Sequence, residues 1–100
     1  MKGLKFDGGK NRLDLIQPEF IFGVGKVLTF GAKKYKADSW QEVEDGVNRY
    51  YSALLRHLFA WRSGEFFDKE SKLPHLYHVA CNVMFLIFLT KRKDKNDKAN

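Results

Sequence analysis

From Leu76 to Leu89 the chain reads Leu-Tyr-His-Val-Ala-Cys-Asn-Val-Met-Phe-Leu-Ile-Phe-Leu, apolar on nearly every side of a helical projection. A helix of that kind has to be buried on most of its faces. The chain has only 100 residues, and a domain of that size buries only about 60–65% of the surface its unfolded chain exposes. Two further helices of ordinary length do not cover such a segment. The pattern therefore predicts an all-α fold, a bundle of three main helices assembled into an oligomeric helical bundle. A homodimer or homotetramer is expected, with the apolar third helix in the shared core. The longest uninterrupted apolar run, Val83–Leu89, is too short to span a bilayer. The first ten residues lack the apolar core of a secretory signal. The single cysteine, Cys81, excludes an internal disulfide framework and a four-cysteine zinc site. A cytoplasmic location without a membrane partner is expected.

Pro18, with Glu19 behind it, reads as the first turn of a helix. Phe20, Val24, Val27 and Gly31, widened by Ile21 and Leu28, continue it as an amphipathic stripe, which predicts a first helix from about Pro18 to Tyr35. Gly23, Gly25 and Gly31 weaken that helix by about 1 kcal/mol each relative to alanine, and let another helix approach closely. Val47, Tyr51, Leu54, Leu58 and Trp61 recur at spacings of four, three, four and three, which predicts a second helix over Val43–Arg62 with these residues as its packing seam. Ser63-Gly64 reads as its stop. Glu65–Lys72 is an acidic connector, and a third helix is expected from near Leu73-Pro74 to about Arg92. Residues 1–90 then form one domain, and residues 91–100 a basic, disordered tail.

The formal charge of +6 is unevenly placed. Residues 1–36 carry eight basic and three acidic groups, residues 37–90 five and seven, and residues 91–100 five and two. A basic surface suits phosphate-bearing partners in general. The acidic middle, and Asp94 and Asp97 among the lysines of the tail, argue against a nucleic-acid partner.

The three histidines lie in the second half. His75 and His78 are three apart and share a helix face, which Asn82 continues four residues on. His57 lies on the second helix beside Arg56, and the connector tethers Glu65, Asp68 and Glu70 between the two histidine-bearing helices. Carboxylates and neutral imidazoles both donate lone pairs, so the group suits a divalent cation, Mg²⁺ or Mn²⁺. One carboxylate can instead orient an imidazole from behind. The alternative is a bundle core in which the histidines bond backbone or carboxylate and the acids are solvated. There is no H-E-x-x-H zinc spacing. At the front of the chain Lys10, Arg12, Lys33 and Lys34 are able to hold phosphates, with Tyr35 or Trp40 stacking on a base. The alternative there is a basic surface whose lysines favour a helix C-terminus. Gly23-x-Gly25 follows no strand and is no dinucleotide fingerprint. Tyr51 and Trp61 read as core, and Cys81 as a buried filler.

Several stretches carry a resemblance. They are Lys10-Asn11-Arg12-Leu13-Asp14-Leu15-Ile16, Leu28-Thr29-Phe30-Gly31-Ala32-Lys33-Lys34-Tyr35 and Leu54-Leu55-Arg56-His57-Leu58, followed by Gly64-Glu65, Asp68-Lys69-Glu70-Ser71 and His75-Leu76-Tyr77-His78-Val79-Ala80-Cys81-Asn82. In that order they resemble the phage dATP/dGTP diphosphohydrolase family, itself similar to the MazG-like all-α nucleoside triphosphate pyrophosphohydrolases. The resemblance implies metal-dependent hydrolysis of dGTP or dATP to the monophosphate and pyrophosphate, in remodelling of the nucleotide pool of a host cytoplasm. It implies that Glu65, Asp68, His75 and His78, with Asn82, hold or orient the ions, and that Glu70 or His57 is the base. Lys10, Arg12, Lys33 and Arg56 would contact phosphate, and Asp14, Tyr35 or Trp40 would read the base. MazG-like enzymes carry paired E-x-x-E and E-x-x-D motifs on neighbouring helices, whereas here the second helix offers Arg56 and His57, the third His75-x-x-His78 and Asn82, and Glu65-x-x-Asp68 lies in the connector. Gln17 stands where the family pattern has proline, and Lys72 where it has glycine. A second class of function fits the same residues, a non-catalytic module that sequesters a nucleotide or a nucleotide signal.

Overall fold

The computed structural model describes residues 3–6 and 8–99, with side chains as far as Lys93. Among the described residues there are three α-helices: α1 (Pro18–Lys34), α2 (Gly46–Arg62) and α3 (His75–Ala99). Short 3₁₀ turns at Leu13–Leu15 and Ser39–Glu42 precede α1 and α2. The fold is all-α, as the hydrophobic pattern requires. Pro18 sits in the first turn of α1 with Glu19 beside it, and Lys33 and Lys34 close its last turn, each placed favourably for the helix dipole.

Two boundaries differ from the sequence expectation. α2 starts at Gly46 rather than Val43, because Val43 is extended and Asp45 takes a left-handed backbone at φ 55°, which a continuous helix does not admit. α3 runs on to Ala99, past Arg92. The side chains of the tail beyond Lys93 lie outside the described residues.

α2 and α1 both pack on α3. Cys81 is fully buried, and burial pushes its thiol pKa up to about 12, so it fills space as an uncharged thiol. Two glycines set the closest approaches. A Cβ on Gly46 would meet Leu89 of α3 at 3.1 Å, and one on Gly23 would meet the Tyr77 ring at 2.7 Å. Below them the Trp40 ring stacks on Phe85 at 4.3 Å and meets Phe88 edge-on, while the Tyr50 hydroxyl donates to the Trp40 carbonyl.

The face of α2 that meets α3 is not the expected seam. Gly46, Tyr50 and His57 point inward, one residue before Val47, Tyr51 and Leu58. Tyr51 and Trp61, expected in the core, are 54% and 38% exposed in the single chain. Leu76, Val83 and Ile87 make an uncovered stripe on α3, and Phe20, Ile21 and Phe22 are exposed on α1. The accessible surface is 8305 Å², about 2,400 Å² more than a folded monomer of this mass exposes. No helix among the described residues is long and apolar enough to cross a membrane.

The glycines give a paired stability prediction. Gly23→Val forces a branched side chain into the Tyr77 ring and is expected to lower stability by about 1–3 kcal/mol. Gly31→Ala, whose Cβ meets nothing within 4 Å, is expected to raise it by about 0.5–1 kcal/mol through helix propensity. Urea midpoints of the two variants should move in opposite directions.

Candidate functional site

The connector between α2 and α3 folds back on itself and delivers its polar groups to the start of α3. Phe67 and Pro74 form an isolated antiparallel bridge, the Asp68 amide donates to the Leu73 carbonyl, and the His75 amide to the Phe66 carbonyl. Inside this loop the Asp68 carboxylate accepts from the Ser71 amide at 2.8 Å, an Asx-type turn. Lys72 takes a left-handed backbone at φ 63°, a conformation that favours glycine. The Ser71 hydroxyl oxygen accepts from the Leu73 amide at 3.2 Å and lies 2.7 Å from Nε2 of His78. The Ser71 hydroxyl and Nε2 of His78 thus share one hydrogen bond, whose direction follows the tautomer of the ring.

His57 enters from α2. Its ring lies flat over that of His78, 4.3 Å away with 6° between the planes, and its Nδ1 is 2.8 Å from Nδ1 of His75. Such a bond needs one nitrogen to donate and the other to accept, so at least one of these rings is neutral. Burial, helped by the neighbouring His78 and only partly opposed by Asp68, pushes the His57 pKa down to about 4. Burial also lowers that of His78, against the pull of Asp68. Burial alone would raise the Asp68 carboxyl, but the two hydrogen bonds from Ser71 and the nearby His78 outweigh it and hold Asp68 below the usual carboxylate value. At neutral pH His57 and His78 are therefore uncharged imidazoles beside an ionised carboxylate.

One atom lacks a partner. Nε2 of His75 is buried and makes no hydrogen bond, and Oε1 of Glu65 stands 3.4 Å away. Ligand atoms of His57, Asp68 and His75 all lie within 4.8 Å of one another. Uncharged imidazoles, a retained carboxylate and an orphaned buried nitrogen are the donor set that a divalent cation takes. If His75 donates its Nδ1 proton to His57, its Nε2 lone pair is free to ligate, and His57 becomes the partner that orients it.

The dATP/dGTP diphosphohydrolase, N-terminal, family profile matches residues 1–99. The chain belongs to this family. A curated relative, a dATP/dGTP diphosphohydrolase of Salmonella phage PMBT28, is 35% identical over 97 residues, which is 97% of this chain and 33% of the relative. The chain thus spans about a third of the length of that relative. No solved structure matches the chain.

Among the residues singled out in this diphosphohydrolase-family sequence, His57, Glu65, Asp68, His75 and His78 come together. Asn82 lies one turn further along α3, buried, with its amide donating to the His78 carbonyl. Glu70 is exposed and pairs with Lys34 at 2.5 Å. Arg56 is exposed and donates to Ser52. Arg12 and Asp14 are exposed and pair with each other, Lys10 is exposed, and Lys34 lies over the exposed Tyr35 ring. The Trp40 ring packs on Phe85, about two turns along α3 from His78. Ser71 was not singled out. Its signal was the Asp68-x-x-Ser71 spacing of an Asx turn.

The depressed His57 pKa makes stability depend on pH. The unfolded chain takes up a proton at His57 as pH falls through about 6.5, whereas the folded chain resists it until about 4. Stability present above the first value is therefore lost progressively down to the second. With His57 only half-buried and partly screened, the loss expected is about 1–2 kcal/mol. Urea midpoints of chelator-treated protein between pH 7 and 4.5 measure it, and His57→Gln should flatten the slope.

Proposed function

We propose that this chain hydrolyses purine deoxynucleoside triphosphates, dGTP or dATP, to the monophosphate and pyrophosphate, with a divalent cation, Mg²⁺ or Mn²⁺, bound at the histidine–carboxylate cluster. The observation that carries this is the convergence of His57, Asp68 and His75, with the buried Nε2 of His75 left unpartnered, in a member of this family. Asp68 and His75 would hold the ion. Once bound, a divalent ion offsets phosphate charge and lowers the pKa of an attacking water.

The chain's own residues supply the rest. His57 fixes the tautomer and angle of His75 through the Nδ1–Nδ1 bond. Ser71 fixes His78, and its amide anchors Asp68. The Nδ1 of His57 is engaged with His75, which sets this ring to orient its neighbour rather than to serve as base. Glu70 is engaged with Lys34. The carboxylate left facing the cluster is Glu65, whose Oε1 takes the proton of the water. Lys33 lies at the adjoining cleft and favours the anionic triphosphate. In a phage such an activity alters the supply of purine deoxynucleotides during infection. Incubation with dGTP, dATP, GTP and dCTP, with and without Mn²⁺ or Mg²⁺, tests this. Metal-dependent dGMP or dAMP plus pyrophosphate is expected, with His75→Ala lowering kcat/KM by about 100-fold or more. Intact nucleotide co-eluting with the protein would overturn hydrolysis in favour of sequestration.

We further propose that the working form is a homodimer or homotetramer. The surplus of about 2,400 Å² over a monomer's surface, and the uncovered stripe of Leu76, Val83 and Ile87, support it. Light scattering at micromolar concentration should give at least twice the mass of one chain, and Val83→Lys should reduce it to one.

A further inference from the structure

We infer that the cleft between α1 and α3 is the nucleoside subsite, and that Glu19 makes it selective for guanine over adenine. The inference rests on the proposed hydrolase reading and deepens it by naming the base and the residue that reads it.

The cleft has a volume of about 960 Å³, at the upper end of small-molecule sites. Ser71 lines it, and the Ser71 hydroxyl is bonded to His78. The cleft thus adjoins the cluster through Ser71, and a nucleotide whose phosphates sit at the cluster would have its base and sugar there. Its walls suit that occupant. Phe22, Phe30 and Tyr77 offer aromatic surface, and Lys26 and Lys33 offer positive charge. Gly25 leaves the α1 wall open, since a Cβ there meets nothing within 4 Å.

Glu19 is the one acid among the residues lining the cleft. Its Oε1 accepts from the Tyr77 hydroxyl at 2.9 Å. The Tyr77 ring in turn lies against Gly23, where any side chain would collide with it. The carboxylate is therefore aimed by a ring seated on α1. A carboxylate has about four lone-pair sites, so one bond from Tyr77 leaves both oxygens able to accept. Guanine presents N1–H and N2–H₂ side by side, two donors that match a carboxylate. Adenine presents a bare N1, whose lone pair would face the carboxylate and repel it. Glu19 is exposed in the chain, so the discrimination comes from two gained charge-assisted hydrogen bonds set against one lone-pair repulsion.

The test uses the reaction products as probes, so that binding is read without turnover. Calorimetric titration of the full chain with dGMP and with dAMP, in chelator, should show tighter dGMP binding. Glu19→Gln should lower the dAMP-to-dGMP ratio of Kd at least about tenfold, and Tyr77→Phe should lower it partway. Gly25→Leu, which fills the cleft without touching the cluster, should weaken both products. An unchanged ratio in Glu19→Gln, or unchanged affinities in Gly25→Leu, would overturn the inference even where metal-dependent turnover is intact. Guanine-selective binding that Glu19→Gln abolishes would sustain it even where no turnover is found. Absence of product binding together with a Gly25→Leu variant of reduced mass would overturn it and assign the cleft to a second copy of the chain.

Discussion

His57 reaches from α2 to lay its ring on His78 and its Nδ1 against Nδ1 of His75, and the register of the whole α2–α3 pair follows from that crossing. Polar rings buried without partners cost about 1–3 kcal/mol each. The structure meets part of that cost by supplying one nitrogen of each α3 histidine with a partner, from α2 for His75 and from the connector for His78. Each α-helical residue is turned about 100° from the one before it. Had α2 offered its Val47–Tyr51–Leu54–Leu58–Trp61 seam to α3, His57 would have swung away by that angle, and His75 would have lost its hydrogen bond. The register that satisfies the histidines leaves Tyr51 and Trp61 partly in water. The cluster and the best apolar packing within one chain are in conflict, and the cluster has prevailed.

The connector shows the same order of priorities. Its turn is fixed by Asp68 and Ser71, and it brings Lys72 into a left-handed backbone, which costs a residue with a Cβ about 1–2 kcal/mol. Strain of this kind persists where the surroundings over-determine it. Here the Asp68–Leu73 and His75–Phe66 backbone bonds and the Ser71 side chain all pin the loop. The yield is a serine whose hydroxyl anchors His78 and which also lines the α1–α3 cleft.

The sequence made the helices legible because their signals are local. Pro18 opened α1, Ser63-Gly64 closed α2, and the His75-x-x-His78 spacing marked one polar face of α3. The five residues of the cluster were likewise legible, since imidazoles and carboxylates in an otherwise apolar stretch demand partners. What was not legible depends on geometry that spacing does not carry. The left-handed Asp45 moved the start of α2. The rotated seam required knowing that His57 would face inward. Trp40 looked like a stacking surface for a base, yet lies on Phe85 because the turn at Ser39–Glu42 folds it there. The cleft depends on Gly23 meeting Tyr77 and on Glu19 meeting the same ring, and no local pattern joins residues so far apart.

These placements divide the apolar surface of α3 between distinct tasks. Taking Tyr77 as the direction of the cleft, His75, His78, Asn82, Phe85 and Leu89 lie roughly 80–160° round in one sense, by the 3.6-residue period of the helix, and are met by α2 or the connector. Leu76, Val83 and Ile87 lie about 100° round in the other sense and remain about half exposed among the described residues. A nucleotide in the cleft and a second copy of the chain therefore need not compete, because α3 presents them different faces. On the two proposals made above, the helix that is apolar nearly all round would have one side for packing, one for a ligand and one for assembly, which would resolve how so short a chain carries it.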